Sequence, residues 1–240
     1  MTVIAVALTF ASGAMDVASF TRLGSVFTSV MTGNIVLWGL AVARGSLALA
    51  SHTAVAVAGY VAGVAAGGGI AVGAGAVAAR GGKGKRGDKQ AIEGRAEAWP
   101  AHITLALLAE LALLGGFAAG WEITGGRPGG WVEYCLLAVA AAGMGVQSSA
   151  VNHMGLTQVS TTFLTGTLTG LVSSLVNPGS AIPDRWRRLG VLLGLVAGAS
   201  LAGLFVATAP DGVPALPLAA IITALVLAWR PPRTEQDSGS

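Results

Sequence analysis

Polar residues set inside long apolar runs constrain this chain more than any other feature. The stretch from Gly13 to Asn34 carries Asp16, Arg22, several hydroxyls and an asparagine in a region otherwise built of Ala, Val, Leu and Phe. An echo of it returns later. Thr28-Ser-Val-Met-Thr-Gly-Asn34 corresponds to Thr161-Thr-Phe-Leu-Thr-Gly-Thr167, and Val26 corresponds to Val159 at the same offset of 133 residues. The setting is apolar throughout: 53% of residues are hydrophobic, 10% are charged, and the mean hydropathy is +0.71. A soluble domain carries about 25% charged residues, so this chain has too little polar surface to cover a globule in water. It reads as an all-α, polytopic integral membrane protein, in which a repeated polar motif needs a reason.

Apolar runs long enough for a hydrocarbon core of about 30 Å fall at about 2–20, 25–43, 50–79, 101–120, 132–152, 160–177, 188–208 and 213–230. That predicts about eight transmembrane helices, with six to eight as the range, since hydroxyls weaken the second and sixth runs. Val3 to Phe10 imitates a signal peptide, but no Lys or Arg precedes it, so it reads as a retained first span. Gly59, Gly63 and Gly67 recur at every fourth position of the third run, and Gly190, Gly194 and Gly198 do so in the seventh. Such stripes let helix backbones approach closely. Their offset of 131 residues, beside the 133 of the Thr-Gly motif, predicts two four-helix repeats. The expected domains are 1–120, including a basic linker at 80–99, and 131–230, followed by a disordered tail at 231–240. An offset of four spans makes the repeats parallel.

Charge does not orient the eight-span arrangement. Of the fourteen Lys and Arg, seven fall on each side, so the positive-inside rule is tied. The linker at 80–99 is the densest basic cluster, which favours placing it in the cytoplasm. A net charge of +3, with the basic residues in loops, gives no support for nucleic-acid binding. The single cysteine, Cys135, excludes an internal disulfide and reads as a small packing residue.

Two carboxylates lie well inside apolar spans, Asp16 and Glu110. An aspartate at mid-membrane costs roughly 2.5–3.5 kcal/mol on insertion scales, so its presence suggests use. Thr9, Ser12, Asp16 and Ser19 share one helical face, and the rest of that helix can face lipid. The Thr-Gly motifs place Thr32, Gly33 and Asn34 opposite Thr165, Gly166 and Thr167. Their glycines permit a break, and their hydroxyls and amide can coordinate a ligand or replace backbone partners. The same residues also suit a plain packing seam. Gln147 and Asn152 give the fifth span a polar side that could meet Asp16. His52, His102 and His153 fall near span ends with no metal-ligand spacing, and no Ser-His-Asp order or Cys-His pair can be assembled. The chain is therefore expected to have no enzymatic activity, no catalytic residue, no metal and no cofactor.

Asp16, Phe27-x-x-x-Met-Thr-Gly-Asn34, Met144-Gly-Val-Gln147 and Thr161-Thr-x-x-Thr-Gly-Thr167 together resemble the YoaK family, bacterial multi-pass membrane proteins built on a domain of unknown function. The likeness covers nearly the whole chain. It departs at Val30 and Ser148, where that family carries asparagine. The resemblance implies a multi-pass protein of the inner (plasma) membrane and brings no activity with it. The residues themselves suggest a small secondary transporter, proton-coupled through Asp16, with a polar site between the repeats for an unknown small solute or proton. The alternative is a non-transporting scaffold or regulatory subunit. The lipid bilayer is the partner expected in either case, and homo-oligomerisation is left open.

Overall fold

A computed structural model describes residues 2–82, 100–154, 164–176 and 182–229. Among these there is no strand. The helices are α1 (Thr2–Arg22), α2 (Met31–Arg44), α3 (Leu47–Gly82), α4 (Ala101–Ile123), α5 (Trp131–His153), α6 (Leu164–Val176), α7 (Ile182–Thr208) and α8 (Ala215–Ala228), with a 3-10 turn at Pro210–Gly212 before the last. Six are long and apolar enough to cross a membrane: all but α2 and α6, the last of the six running from the 3-10 turn through α8 as Pro210–Ala228, 19 residues. At 14 and 13 residues, those two reach only about 20 Å, short of the hydrocarbon core. The protein is a multi-pass membrane protein at the lower end of the expected span count.

The core is α1 and α5. Their apolar windows are 67% and 72% buried, against 17–33% for the other four crossing helices. Around them, α3 packs along α5 and α7 along α1, while α4 covers α5 and α8 covers α1. Ala11, Ala14, Met15 and Ala18 of α1, with Leu137, Ala140, Ala141 and Met144 of α5, are fully or almost fully buried. Outward-facing Val, Leu and Trp residues on the remaining helices are what lipid contact requires.

Contacts at the helix ends give the directions. Arg22, ending α1, donates from Nη2 to the Val206 carbonyl near the end of α7 (3.2 Å). A side chain on Gly24, just past α1, would collide with the His52 ring in the second turn of α3. His52 Nε2 in turn meets Glu133 Oε1 in the first turn of α5 at 3.0 Å. Trp121, near the end of α4, donates to the Pro210 carbonyl before α8 (2.8 Å). One face therefore collects the ends of α1, α4 and α7 and the beginnings of α3, α5 and α8. It follows that α1 and α5 run in opposite directions, and no rotation about the membrane normal superposes the first half on the second. The parallel relation expected from an eight-span count gives way because α2 and α6 do not cross. The linker from 83 onward and the tail from 230 lie outside the described residues.

α2 begins and ends on the same side. Asp16 lies six residues before Arg22, about 9 Å along α1, and the chain just before α2 is hydrogen-bonded to it. The far end of α2 turns directly into α3. There the Gly45 N–H bonds Val42 O and the Ser46 N–H bonds Ala41 O, with Gly45 in the left-handed conformation (φ 62°). This Schellman turn needs glycine. Residues 23–30 thus dip back into the protein and α2 climbs out again.

Candidate functional site

A non-helical segment inside an apolar bundle exposes backbone groups that nothing in lipid can satisfy. Residues 26–29 meet this problem, and the polar residues around them solve it. Asp16 Oδ1 accepts from Thr28 N (2.8 Å), Thr28 Oγ1 (3.0 Å) and Ser29 N (2.8 Å), and Oδ2 accepts from Ser29 Oγ (2.6 Å). Ser19 Oγ donates to the Val26 carbonyl at 2.8 Å. From the other side, Asn34 brackets Phe27: its Oδ1 accepts from Phe27 N (2.9 Å) and its Nδ2 donates to Phe27 O (2.7 Å). Thr28, Ser29 and Asn34 are buried. Asp16 is an acceptor at every one of these bonds, and all of them go to Thr28 and Ser29, before α2 begins. Val30, the residue before α2, makes no side-chain cap bond, so Asp16 fixes the segment leading into the helix rather than its first amides.

A second polar chain crosses the interior between the halves. Ser12 Oγ contacts the Leu8 carbonyl (3.2 Å) and Gln147 Oε1 (2.8 Å). Gln147 Nε2 donates to Glu110 Oε1 at 2.8 Å. The other carboxyl oxygen, Glu110 Oε2, is buried without a hydrogen-bond partner. All three side chains are essentially inaccessible: Ser12 0%, Gln147 1%, Glu110 0%. The chain joins α1, α5 and α4, with Leu107, Leu114 and Met144 buried on the same helices.

The structure distributes the expected site residues unevenly. Asp16 and Asn34 meet around residues 27–29, whereas Gln147 does not join them: it bonds Ser12, one turn before Asp16 on α1, and Glu110. Thr167 is buried, while Thr32, Thr165 and Gly166 face outward and Gly33 is half-buried. Asn152 is exposed at the end of α5, in the half of the membrane opposite Asp16. Four contributors were not singled out from sequence as site residues, Ser12, Ser19, Thr28 and Ser29. Their signals were present: Ser12 and Ser19 belong to the polar stripe of α1, and Thr28 and Ser29 open the echoed motif. At the face described above, His52 stacks on Tyr134 (centroids 4.2 Å apart), and Ser51 and Tyr134 share a hydrogen bond (2.9 Å). His52 lies in the second turn of α3, near a helix end as expected. Among the described residues no three His, Cys, Asp or Glu side chains are grouped to hold a metal.

Residues 4–229 match a family described as protein of unknown function (DUF1275). The UPF0700 transmembrane protein YoaK of Bacillus subtilis (strain 168) is 29% identical to the chain over 170 residues, covering 70% of this chain and 64% of that protein. The match thus spans less than two thirds of that relative's length. No solved structure matches.

Proposed function

The chain belongs to the DUF1275 family, and we propose that it is a small secondary transporter of the inner (plasma) membrane, coupled to protons at a polar site between its halves. One observation carries this reading: Glu110 is fully buried in a membrane span with one carboxyl oxygen paired to Gln147 and the other unpaired. A buried acceptor without a partner costs about 1–3 kcal/mol, more when charged. A proton, or a small cation in its place, relieves that cost at Oε2. Asp16 has the opposite character. Its four bonds all go to the residues leading into α2, so we assign it the task of fixing that segment and move the ionisable role to Glu110.

The scaffold reading uses the same residues as ties between helices. Proton uptake by reconstituted vesicles under a pH gradient separates the two. The transport reading expects uptake by the native protein and its loss in Glu110→Gln, which keeps the shape and the Gln147 bond, at unchanged thermal stability in detergent. Absence of uptake by the native protein, or normal uptake by Glu110→Gln, would overturn it in favour of a scaffold.

A further inference from the structure

The two glycine stripes meet their neighbours in matched ways. A side-chain carbon on Gly59 or Gly63 of α3 would strike the carbonyls of Ala138 or Ala142 in α5. One on Gly194 or Gly198 of α7 would strike those of Val6 or Phe10 in α1. The reverse contacts match as well. Gly145 of α5 faces the Tyr60 carbonyl and the Val64 amide, and Gly13 of α1 faces the Leu195 carbonyl and the Ala199 amide. Each of these contacts in one pair recurs in the other after adding 132 residues in α1 or 135 in α3. The covering helices obey the same exchange, α4 on α5 and α8 on α1, and so do the short ones, α2 on α3 and α6 on α7. Since α1 and α5 run in opposite directions, the operation that exchanges the halves is a two-fold rotation about an axis in the membrane plane.

We propose that residues 2–123 and 131–228 are inverted copies of one four-helix unit, and that the place where the copies differ in polarity is the ion-binding site. The short helices α2 and α6 then enter from opposite faces. Asp16 has Ser148 as its counterpart, and Asn34 has Thr167; all four are buried. The polar chain, by contrast, is not duplicated. By the same offset Ser12 corresponds to Met144 and Gln147 to Met15, and both methionines are buried. Symmetry of the scaffold therefore does not account for Ser12, Gln147 or Glu110. An inverted pair of this kind offers two mirror arrangements that face opposite sides of the membrane. The orientation follows too. With six crossings, only Arg22, Arg44 and Arg127 belong to one face, and the other eleven of the fourteen Lys and Arg belong to segments on the opposite face. The latter is the cytoplasmic one.

The architecture is tested by labelling in intact cells. In a Cys135→Ser background, single cysteines are placed by Arg44→Cys, Arg127→Cys, Trp186→Cys and Ser240→Cys. A membrane-impermeant maleimide should label the first two from outside and the last two only after permeabilisation. Labelling of Arg127→Cys and Ser240→Cys from the same side, as eight crossings require, would overturn the inverted repeat. Labelling of Arg44→Cys from the side opposite Arg127→Cys would do the same, since α3 or α4, the described helices that separate them, would then fail to cross. The site half of the proposal rests on the transport reading and is tested separately with the double variant Glu110→Leu, Gln147→Met. Replacing both partners of a buried hydrogen bond by apolar groups is close to neutral for stability, so this variant should keep the labelling pattern and lose proton uptake. Uptake that persists in it would remove the site from the asymmetric chain while leaving the repeat standing. Absence of uptake by the native protein would instead defeat the transport reading itself.

Discussion

Asp16 shows how an intramembrane carboxyl group can hold a non-helical segment in place. Its oxygens hold two backbone N–H groups and two hydroxyls from adjacent residues. Asp16→Asn keeps an acceptor at Oδ1, and the Ser29 hydroxyl can turn to accept from the new amide, so this variant should fold with a modest loss. Asp16→Ala leaves Thr28 N and Ser29 N without partners, at about 1–3 kcal/mol for each. Thermal unfolding in detergent reads the difference: an alanine variant as stable as the asparagine variant would show that Asp16 does not fix the segment. Glu110 makes one bond and leaves one oxygen free. Two acids that look alike in an apolar sequence thus have different environments, and their substitutions should separate stability from proton uptake.

Among the elements, α2 depends most on side chains from outside itself. Asn34 is the only side chain within it that brackets the preceding turn, pairing both backbone groups of Phe27. Asn34→Ala should destabilise the protein by about 1–3 kcal/mol and loosen residues 26–30. Faster hydrogen exchange at those residues than in α1 is the measurement; unchanged exchange would show that Asp16 and Ser19 suffice. The long helices are held differently. α3 meets α5 at Gly59, Gly63 and Gly145, where backbone lies against backbone. Valine at Gly63 or Gly198 forces the helices of its pair apart, which costs at least the 1–3 kcal/mol typical of overpacking. Each should lower the melting temperature in detergent more than valine at Gly68 or Gly73, where nothing lies within 4 Å.

At the scale of the molecule, six apolar crossings predict that the protein stays with membranes after carbonate or urea washing and is released only by detergent. Recovery in the soluble fraction would contradict the fold at its base. The His52–Glu133 contact links α3 to α5 beside Gly24, closing one face of the bundle. Glu133 is 21% exposed there, so this pair contributes at most a modest amount, of order 1 kcal/mol or less.

The sequence by itself determined the membrane class, the helical content, the buried stripe of α1 and the two glycine seams. These follow from hydropathy and from periodicities of three and four residues, which are local. It also singled out Asp16, Asn34, Gln147 and Glu110, because polar atoms among apolar ones are conspicuous without any fold. The tertiary structure decided whether α2 and α6 cross, and with them the relative direction of the halves. An apolar half-helix and an apolar span have the same composition, and only the bonds from Asp16 to the chain before α2 show that it starts inside and climbs back out. Partnership was decided there as well. Gln147 was expected to meet Asp16, and the packing of α4 against α5 placed it on Glu110 instead. Asn152, one turn beyond Ser148, was carried past the end of the buried interface, because sequence spacing gives a helical face but not the depth at which that face stops being covered.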